Sequence, residues 1–382
     1  GLSAAFYLSK YSDLEIKVYE REDTVGGQAR SSFGKMCYNE YSWRVFNKSY
    51  KNFFNIMKEI GIEMNFMTFF ELSFILNGKK AFMDSKPPNH KKLIKLMSIC
   101  KERLFNEYDD VIAIDYFEND ETWKFIIGPF FGLEVAKTSL SQLARQVYAF
   151  LECDSLYDHN SYLITKDPTS ISIFEPWKEY LVSKNVEFLT EQSVTDVDIL
   201  NNNIKSISIG NKRVYGDEFI FACSLESILD IMNNNIYFYN LKTTNNMIEL
   251  VDSLQLYFTF NLYLSEKLNT DLEGFCIGDA PWQPMCQNKD FWNGDYLCNC
   301  QEDIQQIWNI GVYDHYPGIL HTKKLSECSK EDAITETLHQ LEDSEFFKNI
   351  FKNTGKTLKD ITIGTDIWYE FRNNSENLLT SN

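Results

Sequence analysis

Glu20 and the segment that follows it, Arg21–Ser32 (REDTVGGQARSS), contain the strongest structural signal in the sequence. The adjacent glycines Gly26 and Gly27 allow backbone N–H groups to close on a phosphate group, because no side chain stands in the way. The guanidinium of Arg30 can offset the charge of a pyrophosphate through bidentate hydrogen bonds. A glycine pair alone is typical of an ordinary turn, so the interpretation depends on the residues around it.

The residues before this segment have the spacing of a Rossmann unit. Gly1–Lys10 (GLSAAFYLSK) is small and apolar, as expected for a helix that packs closely on a sheet. Gly1 fits the third glycine of G-x-G-x-x-G, which lets helix and strand approach. Glu15–Glu20 (EIKVYE) alternates like a strand, and Glu20 follows Gly1 by 19 residues, near the position of the acid that binds ribose hydroxyls. On its own, a strand that ends in glutamate would be only a strand end.

Together these features resemble the FAD-dependent amine oxidase superfamily, whose members carry E-R/A-x-x-x-x-G-G-x-x-x-S/T after the second Rossmann strand. The matching positions are Glu20, Arg21, Gly26, Gly27, Gln28, Ala29, Arg30 and Ser31. The resemblance implies that FAD is the cofactor, and that Gly1 and the residues from Glu20 to Arg30 in this set contact it.

Three further stretches resemble the same superfamily. Tyr38–Tyr50 (YNEYSWRVFNKSY) is similar to the E-x-S-W-R-x-F pattern of phytoene desaturase-like members, which places Glu40, Tyr41, Ser42, Trp43 and Arg44 near the flavin or the substrate channel. The alternative is a loop anchored by Trp43, with Arg44 in a surface ion pair. Val194 matches a valine whose backbone contacts the adenine. Glu218–Cys223 (EFIFAC) resembles the family's A-D-x-V-I-x-A strand, with Asp217 and Ala222 in register.

The expected fold is α/β, or α+β when the whole chain is considered. Residues 1–50 and 171–224 are predicted to form a Rossmann-like FAD-binding domain, and residues 359–382 lead back towards it. Residues 51–170 and 225–358 are predicted to form an inserted substrate-binding domain of helices over a mixed sheet.

The element predictions rest on periodicity. Apolar residues at spacings of three and four predict helices over Asn52–Ile60 and Lys91–Leu104. Alternation of β-branched and aromatic residues predicts strands over Gln255–Leu264, Gln306–Tyr313 and Ile361–Phe371.

Composition restricts the partners. The formal net charge of −18 opposes binding to nucleic acid, and no apolar run is long enough to predict a transmembrane segment. The sequence does not indicate an oligomeric state.

Nine cysteines, an odd number without CxxC pairs, favour a reducing compartment, and we expect a cytoplasmic location. Cys298 and Cys300 have no further ligands at zinc spacing, so we expect no metal site.

The resemblance implies hydride transfer from a small lipophilic substrate to the flavin, by polyene or terpenoid desaturation or by amine oxidation. The later part of the chain is dense in aromatic residues, which favours an apolar substrate, and no catalytic residue can be identified. The aromatic residues are Trp282, Phe291, Trp292, Trp308, Tyr313 and Trp368. Adjacent strand residues point to opposite faces, so Asp314 and His315 are not expected to form a dyad.

Two alternatives stay open. The first is an NAD-dependent dehydrogenase, since Gly1 and Glu20 would serve NAD equally well, although a simple NAD fold does not need the GGQAR segment. The second is a non-catalytic fragment, because the family pattern includes a first strand with two more glycines and a final flavin-contacting unit that this sequence lacks. Such a chain would leave part of the pyrophosphate uncovered.

Overall fold

The computed structural model describes most of the chain as two compact units. Residues 1–30 and 169–254 form unit 1, and residues 31–168 and 255–382 form unit 2. The predicted domain boundaries differ from these divisions at residues 31–50, 169–170 and 225–254, and the roles of the two regions stay predictions. The described residues are 1–11, 13–34, 37–40, 44–68, 72–82, 90–120, 123–124, 127–128, 131, 133, 135–152, 162–233, 235, 238, 247–248, 256–290, 292, 303–314 and 316–367.

The helices are numbered in chain order. They are α1 (Leu2–Leu8), α2 (Lys51–Glu59), α3 (His90–Lys101), α4 (Phe105–Tyr108), α5 (Ala113–Tyr116), α6 (Leu140–Glu152), α7 (Glu175–Ser183), α8 (Leu225–Asn233), α9 (Lys330–Asp343), α10 (Glu345–Phe351) and α11 (Leu358–Ile361). The strands are β1 (Lys17–Tyr19), β2 (Ser31–Phe33), β3 (Tyr38–Glu40), β4 (Phe46–Asn47), β5 (Phe66–Thr68), β6 (Leu72–Leu76), β7 (Lys79–Phe82), β8 (Tyr162–Thr165), β9 (Glu187–Leu189), β10 (Val194–Leu200), β11 (Asn203–Ile209), β12 (Lys212–Tyr215), β13 (Tyr257–Leu264), β14 (Gly274–Ile277), β15 (Met285–Asn288), β16 (Gln306–Tyr313) and β17 (Thr362–Ile367).

Unit 1 contains a parallel strand pair and an antiparallel sheet. β1 and β9 run parallel, with Val18 opposite Phe188. Helix α1 contributes the buried side chain of Phe6, and helix α7 contributes that of Trp177. The antiparallel sheet has the order β10-β11-β12 and packs the buried side chains of Val197 and Ile207 in its core. The helix predicted within Gly1–Lys10 is confirmed as α1, and the strand predicted within Glu15–Glu20 is confirmed as β1.

The predicted strand over Glu218–Cys223 is wrong, since residues 218–223 lie outside every strand. Its alternation is present: Phe219 and Phe221 pack against the core of the β10–β12 sheet, whereas Ile220 is 63% exposed. A strand also requires backbone hydrogen bonds to a neighbour, and none of the described strands pairs with this segment. The alternation of residues therefore predicted which side chains are buried, but it did not predict the backbone hydrogen bonds of a strand.

Unit 2 is built on a mixed seven-stranded sheet with the order β17-β13-β16-β15-β14-β6-β7. The only parallel neighbours among its described strands are β14 and β6. The strand predicted over Gln306–Tyr313 is confirmed with the same ends. The other two predicted strands are found over Tyr257–Leu264 and Thr362–Ile367, and the two predicted helices over Lys51–Glu59 and His90–Lys101.

One face of this sheet is apolar because alternate residues of its long strands are apolar. Phe260 and Leu262 of β13 and Ile310 of β16 are buried on this face. Helices α9, α10 and α11 cover it with buried side chains such as Leu341 and Phe347. The helices begin at oxygen-bearing residues that accept a backbone N–H, namely Ser329, Ser344 and Thr357.

The opposite face of the sheet packs against α3, α5 and α6 at the β6 and β14 end, where Phe74 and Cys276 are buried with Leu143. No helix in the described part of the chain has the length and apolar character needed to cross a membrane.

Candidate functional site

The carboxyl ends of the parallel strands β1 and β9 meet at one edge of unit 1. The Glu20 N–H donates to the Leu189 carbonyl at 3.0 Å, and the Gln192 N–H donates to the Glu20 carbonyl at 2.9 Å. The Glu20 carboxylate accepts a hydrogen bond from the Glu22 N–H at 3.0 Å. Ligands of α/β folds bind outside the carboxyl ends of parallel strands, so this half-buried carboxylate lies where a ribose-binding acid is needed.

The glycine pair forms a tight left-handed turn directly after this edge. Gly26 has a φ of 116° and Gly27 a φ of 56°, which residues with side chains adopt at a cost. A Cβ atom on Gly26 would lie 2.6 Å from the ring of Phe174, so packing requires glycine there. A Cβ atom on Gly27 would meet no atom within 4 Å. The turn therefore keeps a bare backbone beside open space.

The next residues continue this turn. Gln28 and Ala29 belong to the 3-10 turn Gly27–Ala29 and are half-buried. The Ala29 N–H donates to the Gly26 carbonyl at 3.1 Å, and the Arg30 N–H to the Gly27 carbonyl at 3.3 Å. These bonds fix the path of the loop from Gly26 to Arg30.

Arg30 braces the loop from within. Its side chain is buried, with one terminal nitrogen 3.4 Å from the Glu22 carboxylate and the other donating to the Gly27 carbonyl at 3.4 Å. Arg21 is more exposed and donates from Nε to the same Glu22 carboxylate at 2.9 Å. The interaction with Glu22 was not predicted from the sequence. A direct contact between Arg30 and a pyrophosphate stays a prediction.

Gly1 and Val194 lie close to this edge. Gly1 precedes α1, and a Cβ atom on it would lie 4.0 Å from the Ala222 Cβ, which is ordinary contact. Val194 begins β10, and its side chain packs in the same cluster as Tyr19 at the end of β1. Burial raises the pKa of the Cys223 thiol. The positive charge of Arg21 lowers this pKa and the negative charge of Glu20 raises it, so both side chains lie near the thiol. The structure therefore groups Gly1, Glu20, Arg21 and Val194 with the glycine turn in unit 1.

The remaining predicted site residues belong to unit 2. Ser42 and Trp43 lie outside the described residues, as does Tyr41. Arg44 is half-buried and close to Lys289. Burial lowers the pKa of Lys289, the Glu40 carboxylate opposes that shift, and the positive charge of Arg44 adds to it.

Glu40 and Lys289 form a buried ion pair that sequence reasoning did not predict. The Lys289 ammonium donates to the Glu40 carboxylate at 2.8 Å. The ammonium also lies 4.6 Å from the centre of the Trp292 ring, within the range of a cation–π contact. Charged groups remain buried when they are paired in this way.

A set of buried amides lies on the same face of the sheet and was also missed. The three strands β13, β15 and β16 contribute Asn261, Gln287 and Asn309, each 1% exposed. The available signal was a single polar residue in the middle of a strand whose other inward residues are apolar, as in Gln306–Tyr313 (QIWNIGVY). No group of three or more potential metal ligands is found within the described ranges.

The geometry of unit 1 fits a dinucleotide cofactor. Gly27 is exposed and has open space beside it, so a diphosphate at this position would meet bare backbone. At the adjoining strand end Glu20 has the carboxylate that the ribose hydroxyls of such a cofactor would need.

The comparisons with known proteins identify the fold. Residues 1–60 match the NAD(P)-binding Rossmann-like domain family. No curated protein sequence matches the chain.

Solved structures share the fold over almost the whole chain. An oxidoreductase from Methanosarcina mazei is 13% identical with a TM-score of 0.61, covering 96% of this chain and 84% of its own. A putrescine oxidase with redesigned cofactor binding is 15% identical with a TM-score of 0.62, covering 96% and 86%. A CLA-producing fatty acid isomerase from P. acnes is 15% identical with a TM-score of 0.59, covering 96% and 83%. The chain therefore has the amine oxidase fold with a Rossmann-like domain, which confirms the predicted resemblance and fold class.

Proposed function

We propose that the protein is an FAD-dependent oxidoreductase that removes hydride from a small, largely apolar substrate. The observation that carries this proposal is the left-handed Gly26–Gly27 turn, which keeps open space beside a bare backbone next to the carboxylate of Glu20. The oxidoreductase and the putrescine oxidase that share the fold support the same class of reaction.

The residues of unit 1 would hold the cofactor in distinct ways. Glu20 would accept hydrogen bonds from the ribose hydroxyls, and its charge would disfavour a 2′-phosphate. The backbone at Gly27 would approach the diphosphate, while the ion pair between buried Arg30 and half-buried Glu22 keeps the turn in place. Val194 would offer its backbone to the adenine. FAD, when bound, supplies the hydride acceptor, and the chain orients the substrate and excludes water.

The substrate class is a prediction with two members, amines and polyenes or terpenoids. The fold relatives include a putrescine oxidase and a fatty acid isomerase, so an amine and an apolar chain are both chemistries that this architecture handles. The hydride would leave a C–H bond beside nitrogen in an amine, or an allylic C–H bond in a polyene or terpenoid.

A second candidate is an NAD-dependent dehydrogenase, favoured by the match of residues 1–60 to an NAD(P)-binding family. FAD and NAD share the adenosine and diphosphate that Glu20 and the glycine turn would contact. The two candidates differ in the part of the cofactor that carries out the redox reaction.

The test is a titration of the purified full chain with FAD and, separately, with NAD⁺. Retention of the flavin absorbance bands after removal of excess FAD, without retention of NAD⁺, is the expected result. Retention of NAD⁺ alone would favour the dehydrogenase, and retention of neither would favour a non-catalytic fold.

Variants at the two ends of strand β1 sharpen this test. Glu20→Ala is expected to weaken FAD binding by about tenfold, because two charge-assisted hydrogen bonds to ribose would be lost. Glu15→Ala removes an exposed carboxylate that pairs with Lys17 before the same strand, and it should leave FAD binding unchanged. Equal effects of the two substitutions would contradict the role given to Glu20.

A further inference from the structure

Four polar side chains form a straight row across the seven-stranded sheet of unit 2. In successive strands β15, β16, β13 and β17, Gln287 lies opposite Asn309, Asn309 opposite Asn261, and Asn261 opposite Asp366. We call these four residues the polar row. All are at most 4% exposed, and they occupy the middle of a sheet whose other face buries mainly apolar side chains.

Strand β3 lies along this row and accepts or donates most of its hydrogen bonds. Asn261 Nδ2 donates to the Tyr38 carbonyl at 3.0 Å, and Asn309 Nδ2 donates to the Glu40 carbonyl at 3.1 Å. Asn39 Nδ2 donates to the Asp366 carbonyl at 2.9 Å. The amide N–H groups of all three asparagines are therefore directed into the protein.

Several oxygen atoms of the same cluster have no hydrogen-bond partner among the residues that the structure describes. They are Asn39 Oδ1, Asn309 Oδ1 and Gln287 Oε1, and Gln287 Nε2 is unpartnered as well. The side chains of Asn39, Asn309 and Gln287 are each at least 99% buried. A buried polar group without a partner costs stability, so a folded protein keeps few of them without a use.

The orientation of the Asn309 amide is fixed by its surroundings. Its nitrogen lies within hydrogen-bond distance of three oxygens, those of the Glu40 carbonyl, Thr259 Oγ1 and Asn261 Oδ1. Three acceptors around one atom require that atom to be the nitrogen. The unpartnered atom is therefore an oxygen, which can only accept a hydrogen bond.

The charged pair beside the row is already neutralised. Lys289 follows Gln287 by two residues, on the same side of the extended chain, and its ammonium is bonded to Glu40 at 2.8 Å. Apart from the carboxylate of Asp366 at the end of the polar row, the site therefore offers mainly neutral acceptors, together with one neutral donor on Gln287.

From these observations we propose that Gln287 and Asn309, which are register neighbours on adjacent strands, bind the hydrogen-bond-donating group of the substrate, an amine N–H or a hydroxyl O–H attached to an apolar chain. The inference rests on the proposed function and selects, within it, a polar-headed substrate over a pure hydrocarbon polyene. A hydrocarbon would leave all the acceptors unpaired, and a carboxylate would place oxygens against oxygens.

The test measures binding to the full chain of octylamine, 1-octanol and octanoate, by isothermal titration calorimetry. These probes share one chain length and differ in the head group. We expect octylamine or octanol to bind at least about tenfold more tightly than octanoate, a difference that corresponds to about one hydrogen bond. Failure of both donor probes to bind, or tighter binding of octanoate, would overturn the inference.

Two glutamine variants distinguish a ligand site from a structural one. Gln287→Leu is expected to raise Tm in the absence of ligand, because two unpartnered polar atoms are removed, and to weaken binding of the preferred probe about tenfold. Gln306→Leu is the matched control, since Gln306 is buried on the neighbouring strand, accepts from the Leu268 N–H at 2.9 Å and donates to Asp290. That control should lower Tm and leave probe binding unchanged. A lower Tm for Gln287→Leu with unchanged probe binding would make Gln287 structural and overturn the inference.

The FAD titration separates this inference from the proposed function. If FAD is retained and Gln287→Leu binds the probes as the unsubstituted chain does, the oxidoreductase proposal stands and the head-group site is excluded. Probe binding that depends on Gln287 without any FAD retention would keep the head-group site and remove the oxidoreductase proposal.

Discussion

The ammonium of Lys289 lies 2.8 Å from the carboxylate of Glu40, and the two side chains are 2% and 4% exposed. Burial lowers the pKa of Lys289, and the contact with Glu40 acts in the opposite direction. Each charge is therefore tolerated only because the other is present. This pair ties strand β3 to the residue after β15.

Breaking this pair should be more damaging than removing it. Lys289→Met leaves the Glu40 carboxylate buried without its partner, and we expect the free energy of unfolding to fall by about 3–5 kcal/mol. Glu40→Gln combined with Lys289→Met should recover most of that loss, because no charge then remains buried. Urea unfolding of the two single variants and the double variant gives the coupling. Strictly additive losses would show that the two groups do not stabilise each other.

A second buried carboxylate organises a loop in unit 2. Glu336 in helix α9 accepts hydrogen bonds from the backbone N–H groups of Ile319, Leu320 and His321 at 2.6, 2.9 and 2.8 Å. Gln340 Nε2 donates to it at 2.8 Å. Because every one of these partners is a donor, Glu336→Gln should lower the free energy of unfolding by about 2–3 kcal/mol, measured by urea unfolding.

The ionisation of Glu336 should contribute to the pH dependence of the free energy of unfolding. Burial alone would raise its pKa, but the hydrogen bonds from Gln340 and the three backbone amides together lower the pKa below the ordinary value of 4.5. The folded state therefore favours the ionised form, and this contribution is complete above pH of about 4.5 and is lost as the pH falls through the depressed folded pKa.

Thermal denaturation between neutral pH and about pH 3 tests this sign. The difference in Tm between the native chain and Glu336→Gln should shrink as the solution becomes more acidic. A difference that stays constant over this range would show that Glu336 does not contribute through its charge.

The sequence predicted those features that depend on short spacing. Gly26 and Gly27 were identified because a phosphate loop needs bare backbone at a set distance from a strand end, and strand β16 because of the alternation of β-branched and aromatic residues within Gln306–Tyr313. The segment Glu218–Cys223 has the same alternation, but alternation does not show whether a partner strand lies beside it. Whether such a segment forms a strand therefore depends on pairing with residues distant in the sequence, which a local pattern does not show.

The polar row shows the same limit at the candidate site. Gln287 and Asn309 are separated by 22 residues in the sequence and become neighbours only through the register of β15 and β16. Arg30 was predicted as a residue of the phosphate loop, yet its interaction with Glu22 depends on how the loop folds back. A spacing rule indicates which residue types can contact a ligand. The tertiary structure determines which of these residues also interact with one another within the protein.

The glycines of unit 1 allow conformational strain to be separated from ligand contact. Gly27 and Gly210 have nearly equal φ values of 56° and 55°, and a Cβ atom on either would meet no atom within 4 Å. Gly210 lies in the turn between β11 and β12 and is not among the residues to which we assign a cofactor contact. Alanine at either position should therefore cost a similar 1–2 kcal/mol or so of stability, through backbone strain alone.

FAD binding should distinguish these two alanine variants. Gly27→Ala places a methyl group in the open space that we assign to the diphosphate. It should weaken FAD binding by at least about tenfold, because one phosphate contact would be lost. Gly210→Ala should bind FAD as the native chain does. Gly26→Ala should lose roughly 1–3 kcal/mol more stability than either, because its Cβ atom would lie 2.6 Å from Phe174. Thermal unfolding and FAD titration of the three variants provide the measurement, and equal FAD affinity of Gly27→Ala and Gly210→Ala would remove the diphosphate from the space beside Gly27.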